Sequence, residues 1–211
     1  MKRRGIEPTA VNDRIELELV SSGLICIVGC DEAGRGPLAG PVVASAVEFQ
    51  ECPVIWKCRD SKSLSPASRE ELFAEIIETL PYSVAAIDPQ TIDRVNIRVA
   101  SLMAMSYAVE KLPQAPDVIL VDGRDHLPEF PMSRAIVKGD ARVATISAAS
   151  IIAKVSRDRL MHDYHAQYPM YGFNHHFGYP TAAHCAALQK HGPCPIHRRS
   201  FRGVRELVET D

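Results

Sequence analysis

An apolar run over residues 24–30 halts at two carboxylates, Asp31 and Glu32, and passes at once into Gly34-Arg35-Gly36. A second apolar run, residues 41–49, begins a few residues past Pro37. The first run is apolar on both faces, as a central strand must be. The mixture of strands and helices along the rest of the chain gives the α/β class. The carboxylates at its end offer oxygen ligands to a hard cation. The glycines and the guanidinium beside them offer bare backbone and positive charge to a phosphate. These are complementary parts of a site that cleaves phosphodiesters.

The rest of the chain reads as alternating elements. Residues 9–22 predict a helix with Val11, Ile15, Leu17 and Leu19 inward. Residues 41–49 predict a neighbouring strand, and residues 50–63 a polar loop. Ser65-Pro66 opens a helix, since serine suits the cap and proline the first turn. Phe73, Ile76, Ile77 and Leu80 form its buried stripe, and Pro81 stops it. Strands follow at 82–87, 118–121 and 135–137. A helix over 97–112 carries Leu102, Met105 and Val109 inward. A long helical stretch, 141–167, is small and apolar in its first half, which suits packing on a sheet. Its second half, with Arg157, Asp158, Arg159 and His162, reads as more exposed. A last helix spans 180–190.

The chain has 211 residues, 46% of them apolar, and a formal net charge of -2. One domain is the expectation. There is no global basic field, so nucleic-acid binding must rest on a local patch. Residues 181–205 supply one: Lys190, Arg198, Arg199, Arg202 and Arg205 occur there without an acidic residue. No apolar run approaches the roughly 20 residues of a membrane span. A basic start broken by charged residues does not read as a signal peptide, so a cytoplasmic location is expected. None of the six cysteines has the two-residue gap of a zinc knuckle, and a disulfide framework is not expected. His184, Cys185, His191, Cys194 and His197 fit no common zinc-finger spacing.

Asp31, Asp122 and Asp140 each read as closing an apolar run. In open α/β sheets ligands sit beyond the carboxyl ends of strands. Three such ends would gather three carboxylates, with Glu32 as a fourth, and the repulsion among them calls for a divalent cation. An all-oxygen set favours Mg²⁺ or Mn²⁺ over zinc. Neighbouring strand residues point to opposite faces, so Asp31 and Glu32 share a metal only if the strand ends or bulges there, or if Glu32 acts through its carbonyl or a water.

The ordered motifs Gly29-Cys30-Asp31-Glu32-Ala33-Gly34-Arg35-Gly36-Pro37, Asp60-Ser61-Lys62, Asn96-Ile97, Val121-Asp122-Gly123 and Lys138-Gly139-Asp140 do not stand alone. Residues 147–158, Tyr168-Pro169-Met170-Tyr171-Gly172-Phe173, Gly178-Tyr179-Pro180-Thr181 and His197-Arg198-Arg199-Ser200-Phe201 continue the series. Together they resemble the type 2 ribonucleases H, the bacterial ribonuclease HII group, over nearly the whole chain. The resemblance implies a ribonuclease H-like mixed sheet flanked by helices, with a helical C-terminal extension. It divides the chain into a catalytic region, 1–168, and a substrate-binding extension, 169–211, packed on the same domain. It implies a monomeric endoribonuclease that cuts RNA in RNA–DNA hybrids and 5′ of ribonucleotides in duplex DNA, leaving 3′-hydroxyl and 5′-phosphate ends. Asp31, Glu32, Asp122 and Asp140 match the family's metal-binding acids, which hold two Mg²⁺ or Mn²⁺ ions. Asp31 is expected to bridge them. Gly34, Arg35 and Gly36 match its phosphate motif, Tyr179 its reader of the RNA–DNA junction, and Lys62 a lysine near the substrate backbone. Arg198 and Arg199 are expected on the duplex backbone. One departure stands out: Phe177 occupies the place of the family's usual lysine. A non-catalytic hybrid-binding module and a junction resolvase or strand-transfer enzyme on the same fold are the rival readings.

Overall fold

The computed structural model describes residues 14–58 and 65–209. Lys62 and its Asp60-Ser61 neighbours, and residues 9–13 of the first expected helix, lie outside them. Within the described part that helix is α1, Ile15–Ser21. β1 (Ile27–Ala33) and β2 (Val42–Glu48) then pair antiparallel. The stretch expected to be a loop contains a short helix, α2 (Pro53–Lys57), which buries Val54 and Ile55. Its start lacks a side-chain cap, so the usual polar signal is missing.

α3 (Pro66–Thr79) begins as its sequence demands, with the Ser68 amide donating to Ser65 Oγ at 3.1 Å. β3 (Tyr82–Ile87) pairs antiparallel with β2. A helix absent from the sequence reading follows, α4 (Pro89–Val95), capped by Asp88, which accepts the Thr91 amide at 2.7 Å. Asp88-Pro89 is the signal for it. Asn96, at φ +70°, then ends α4 and caps α5 (Ile97–Glu110), accepting the Val99 amide. Asparagine tolerates this backbone and carries the capping oxygen, so one residue serves both helices. α5 buries Ala100, Ala104, Met105, Ala108 and Val109, while Leu102 is only partly buried.

β4 (Val118–Asp122) runs parallel to β1, and β5 (Ser133–Ile136) parallel to β4. The described sheet has the order β3-β2-β1-β4-β5. A 3₁₀ turn (Gly139–Ala141) leads into α6 (Ala144–Gln167). A second 3₁₀ turn (Pro169–Tyr171), α7 (Phe173–His176), α8 (Ala182–His191) and α9 (Arg205–Val208) complete the chain.

Strand alternation sorts the core. Ile27, Val118, Leu120 and Val47 face α6 and α3, while Val28, Cys30, Ile119 and Val121 face α5. Gly29 lies on the α6 side. A Cβ there would stand 2.4 Å from the Thr145 carbonyl carbon, so only glycine lets the start of α6 press on β1. That helix start has no cap of its own. Glu16 of α1 provides one, its Oε1 accepting from the Thr145 amide (2.9 Å) and hydroxyl (3.0 Å). A third apolar cluster joins Leu38 and Ala39 to Met161, Tyr171, Phe173, Leu188 and Val204. It seats the C-terminal elements against the loop that follows β1. Among the described residues no helix is long and apolar enough to cross a membrane. The six cysteines are free.

Candidate active site

The parallel pairing of β1 with β4 sets the site. Its last matched pair is Cys30 with Val121, so Asp31 and Asp122 stand level, one residue further on, both on the α6 side. Glu32 alternates to the other face. β1 stays in register with β2 through Ala33, so there is no bulge. Both carboxylates nonetheless line one cleft, because β1 runs on past the end of β4. The cleft is lined by Asp31, Glu32, Gly34, Arg35, Gly36, Asp122 and Tyr179, together with Arg69, Ser150, Lys154 and Arg157.

The acids repel one another. Burial, then the charges of Glu32 and Asp122, hold the Asp31 carboxyl well above the usual range, against a hydrogen bond from Ser150. Burial also raises Glu32, opposed by Arg35, whose Nη1 lies 3.2 Å from its Oε1. Asp122 is steered from behind: its Oδ1 accepts the amides of Gly139 (2.7 Å) and Asp140 (3.3 Å). Lys154 is committed to Asp158 at 2.7 Å. The floor is therefore acidic and the rim basic. An excess of buried carboxylate with only oxygen donors suits a hard divalent cation. Among the described residues no group of three or more Asp, Glu, His or Cys stands ready-closed around an ion position. The residues fit a metal by chemistry and charge rather than as a finished cage.

Asp140 departs from expectation. It does not close a strand but lies in the 3₁₀ turn, four residues past β5, buried and with its amide on the Asp122 carboxylate. The Gly-Asp pair folds back as a turn because its amides are drawn to the Asp122 carboxylate.

Arg198 is a correction. It was expected on the duplex, yet it is fully buried. Its Nε donates to the Gly40 carbonyl (2.9 Å), Nη1 to those of Arg35 (3.0 Å) and Pro37 (2.9 Å), and Nη2 to that of Gly34 (2.6 Å). Arg157, expected exposed, is buried too. It donates to the carbonyls of Pro41, Ala39 and Phe177 at 3.0 Å each. Two guanidiniums thus grip the 34–41 loop through its carbonyls. Its amides at Gly34, Arg35 and Gly36 form no hydrogen bond among the described residues and are left for a ligand. A Cβ on Gly34, at φ +99°, would lie 2.1 Å from Arg157 Nε. Arg199 remains exposed, its amide held by Asp93 at 2.8 Å.

Tyr179 is 42% exposed, with its ring against Gly36. Phe177 takes a left-handed backbone (φ +51°), and Lys154 Nζ stands 4.8 Å from its ring centre. The sequence reading missed Arg69, Ser150, Lys154 and Arg157 as cleft residues. Ser150, Lys154 and Arg157 recur at helical spacing on a helix otherwise apolar toward the sheet, which is the signal that marks them.

Comparison with known proteins gives the family and the fold. The sequence model of the Ribonuclease HII family matches residues 28–204. A Ribonuclease HII of Pelodictyon phaeoclathratiforme is 48% identical over 196 residues, covering 90% of this chain and 94% of its own. One from Thiobacillus denitrificans is 52% identical over 189 residues, with 89% and 92% covered. The crystal structure of ribonuclease H2 from Pyrococcus horikoshii superposes with a TM-score of 0.72 at 30% identity, covering 88% of this chain and 98% of that one. With the mixed sheet, the ordered acids and these matches in agreement, the chain belongs to the ribonuclease HII family and is a nuclease, a hydrolase of the ribonuclease H kind.

Proposed function

We propose that the protein is an endoribonuclease that hydrolyses the RNA strand of RNA–DNA hybrids and cuts 5′ of single ribonucleotides in duplex DNA. The products are 3′-hydroxyl and 5′-phosphate ends. The carrying observation is the adjacency of three things in one cleft. Mutually repelling carboxylates stand beside a turn whose amides have no partner among the described residues, and an exposed tyrosine leans on that turn.

Asp31, Glu32, Asp122 and Asp140 are the residues to hold Mg²⁺ or Mn²⁺. A bound pair of such ions supplies Lewis acidity to the attacking water and to the leaving 3′-oxygen. Asp31 is central, since it lies between Glu32 and Asp122 in charge as well as in place. The amides of Gly34–Gly36 and the Arg35 guanidinium orient the phosphate. Tyr179 presents a ring to the sugar and a hydroxyl to its 2′-oxygen, the atom that separates RNA from DNA. Arg199 contacts the strand backbone outside the cleft, and Lys62 is assigned a backbone contact from its motif alone. Arg198 acts at one remove, by holding the phosphate loop. In a cell this monomeric activity removes RNA primers and misincorporated ribonucleotides.

One assay tests the reading. The protein is incubated with Mg²⁺ or Mn²⁺ and duplexes carrying zero, one or several ribonucleotides. Cutting only at ribose, with 5′-phosphate products, is expected. Cutting of the all-DNA duplex, or no cutting at all, refutes it.

A further inference from the structure

Beneath Tyr179 lies a buried cluster that the chemistry above does not use. We propose that His184 and His197, with His176 beside them, are positioning residues for Tyr179: a hydrogen-bond chain of one fixed tautomeric order runs from the Cys194 amide through two imidazoles to the Tyr179 carbonyl. The inference rests on the reading of Tyr179 as the ribonucleotide sensor.

The proton positions follow from the two ends. The Cys194 amide donates to His197 Nδ1 at 2.9 Å. An amide only donates, so that nitrogen carries no proton and the neutral ring is protonated on Nε2. His197 Nε2 lies 3.1 Å from His184 Nε2, which must accept. The His184 proton is then on Nδ1, and Nδ1 lies 2.9 Å from the Tyr179 carbonyl, a group that only accepts. Starting from Tyr179 gives the same order, so one arrangement satisfies every member. His176 adds a parallel link: its Nδ1 accepts the Gly178 amide (3.2 Å) and its Nε2 donates to the Tyr171 carbonyl (2.7 Å).

The cluster is tightly packed. His176, His184 and His197 are all buried. His176 and His184 stack at 4.5 Å between ring centres, and Phe173 sets its edge against both. Burial holds all three imidazoles below their ordinary range, His197 at about 4. A second proton on either ring of the chain would set two N–H groups face to face. The Tyr179 ring is exposed and takes its stance from its main chain. That chain is fixed by the His184 bond, by the Tyr179 amide to the His176 carbonyl (2.8 Å), and by the Leu38 amide to the Gly178 carbonyl (2.8 Å). The last of these ties the sensor to the phosphate loop.

The test compares His197→Asn with His197→Gln. Asparagine places an oxygen where Nδ1 was and keeps the Cys194 bond, but its amide does not reach His184. Glutamine places an NH₂ where Nε2 was and keeps donation to His184. The readout is kcat/KM on a DNA duplex with one ribonucleotide relative to an all-RNA strand hybrid. Histidine ¹⁵N spectra of the unsubstituted protein are recorded alongside. His197→Asn is expected to lower that ratio on the order of 10- to 100-fold through misplacement of the ring, and His197→Gln to restore most of it. The spectra are expected to show His184 protonated on Nδ1 and His197 on Nε2. An unchanged ratio in a folded His197→Asn protein overturns the proposal, as does a His184 proton on Nε2. If His197→Asn does not fold, the spectra decide alone. Tyr179→Ala separates the two claims: an unchanged ratio there refutes the sensor role, while a lost ratio with an unaffected His197→Asn refutes only the relay.

Discussion

Arg198→Ala separates the two roles that the basic C-terminal segment suggests. The side chain is fully buried and satisfies the carbonyls of Gly34, Arg35, Pro37 and Gly40. Truncation leaves three buried acceptors and a part-buried one, at up to about 1–3 kcal/mol each, for an upper figure of roughly 4–12 kcal/mol. Two effects offset this. Among the described residues the guanidinium bonds to no carboxylate, and burial followed by the charge of Arg157 lowers its pKa, so its removal ends a desolvation penalty. Water also enters the vacated space. The net loss is about 3–5 kcal/mol, toward the lower end of that figure, as expected when a buried hydrogen-bond network is broken. At about 2–4 °C per kcal/mol for a chain of this size, the melting temperature falls by roughly 6–20 °C. Thermal melting followed by circular dichroism measures it. Arg199→Ala is the control: an exposed residue changes stability by at most about 0.5 kcal/mol, yet it should weaken duplex binding and reduce the salt slope by about one ion. An Arg198→Ala protein that melts within about 2 °C of the parent but loses duplex affinity and salt slope would refute the reasoning.

Three further outcomes are expected. Asp122→Asn keeps an oxygen for the Gly139 and Asp140 amides, so it should fold and bind hybrid, yet cleave on the order of 10³-fold more slowly; turnover near the parent's in Mg²⁺ would contradict the metal role. Without divalent cations, stability should decline as pH rises. The folded carboxyl of Asp31 is raised above its ordinary 3.8, so its contribution is present below that value and is lost as pH climbs toward the folded pKa. Melting scans in chelator should show this slope, with Mg²⁺ or Asp31→Asn flattening it; a slope untouched by both would count against the cluster. Gly29→Ala forces a Cβ to 2.4 Å from the backbone of Thr145 and should cost about 1–3 kcal/mol, read by denaturant melting. An unchanged midpoint would mean that α6 does not bear on β1 there.

Much of the architecture is local and so was legible in the sequence. Ser65-Pro66 and Pro81 bound α3 through capping and a missing amide, and two-sided apolarity placed β1 at the centre of the sheet. The resemblance in ordered motifs named the acids. What stayed hidden depends on partners far along the chain. Glu16 caps a helix through the amide of Thr145, 129 residues further along the chain. Arg198 meets the Gly34 carbonyl across 164 residues. A basic residue in a basic stretch reads as solvent-facing, because sequence carries its charge and not its surroundings. Residue type and spacing fixed which groups exist, their charges and their helix or strand period, since these are properties of the chain within a few turns. Tertiary structure alone decided which cations stay exposed and which grip the backbone from inside. Burial and the direction of a carbonyl are set by contacts between distant segments, and no local pattern records them.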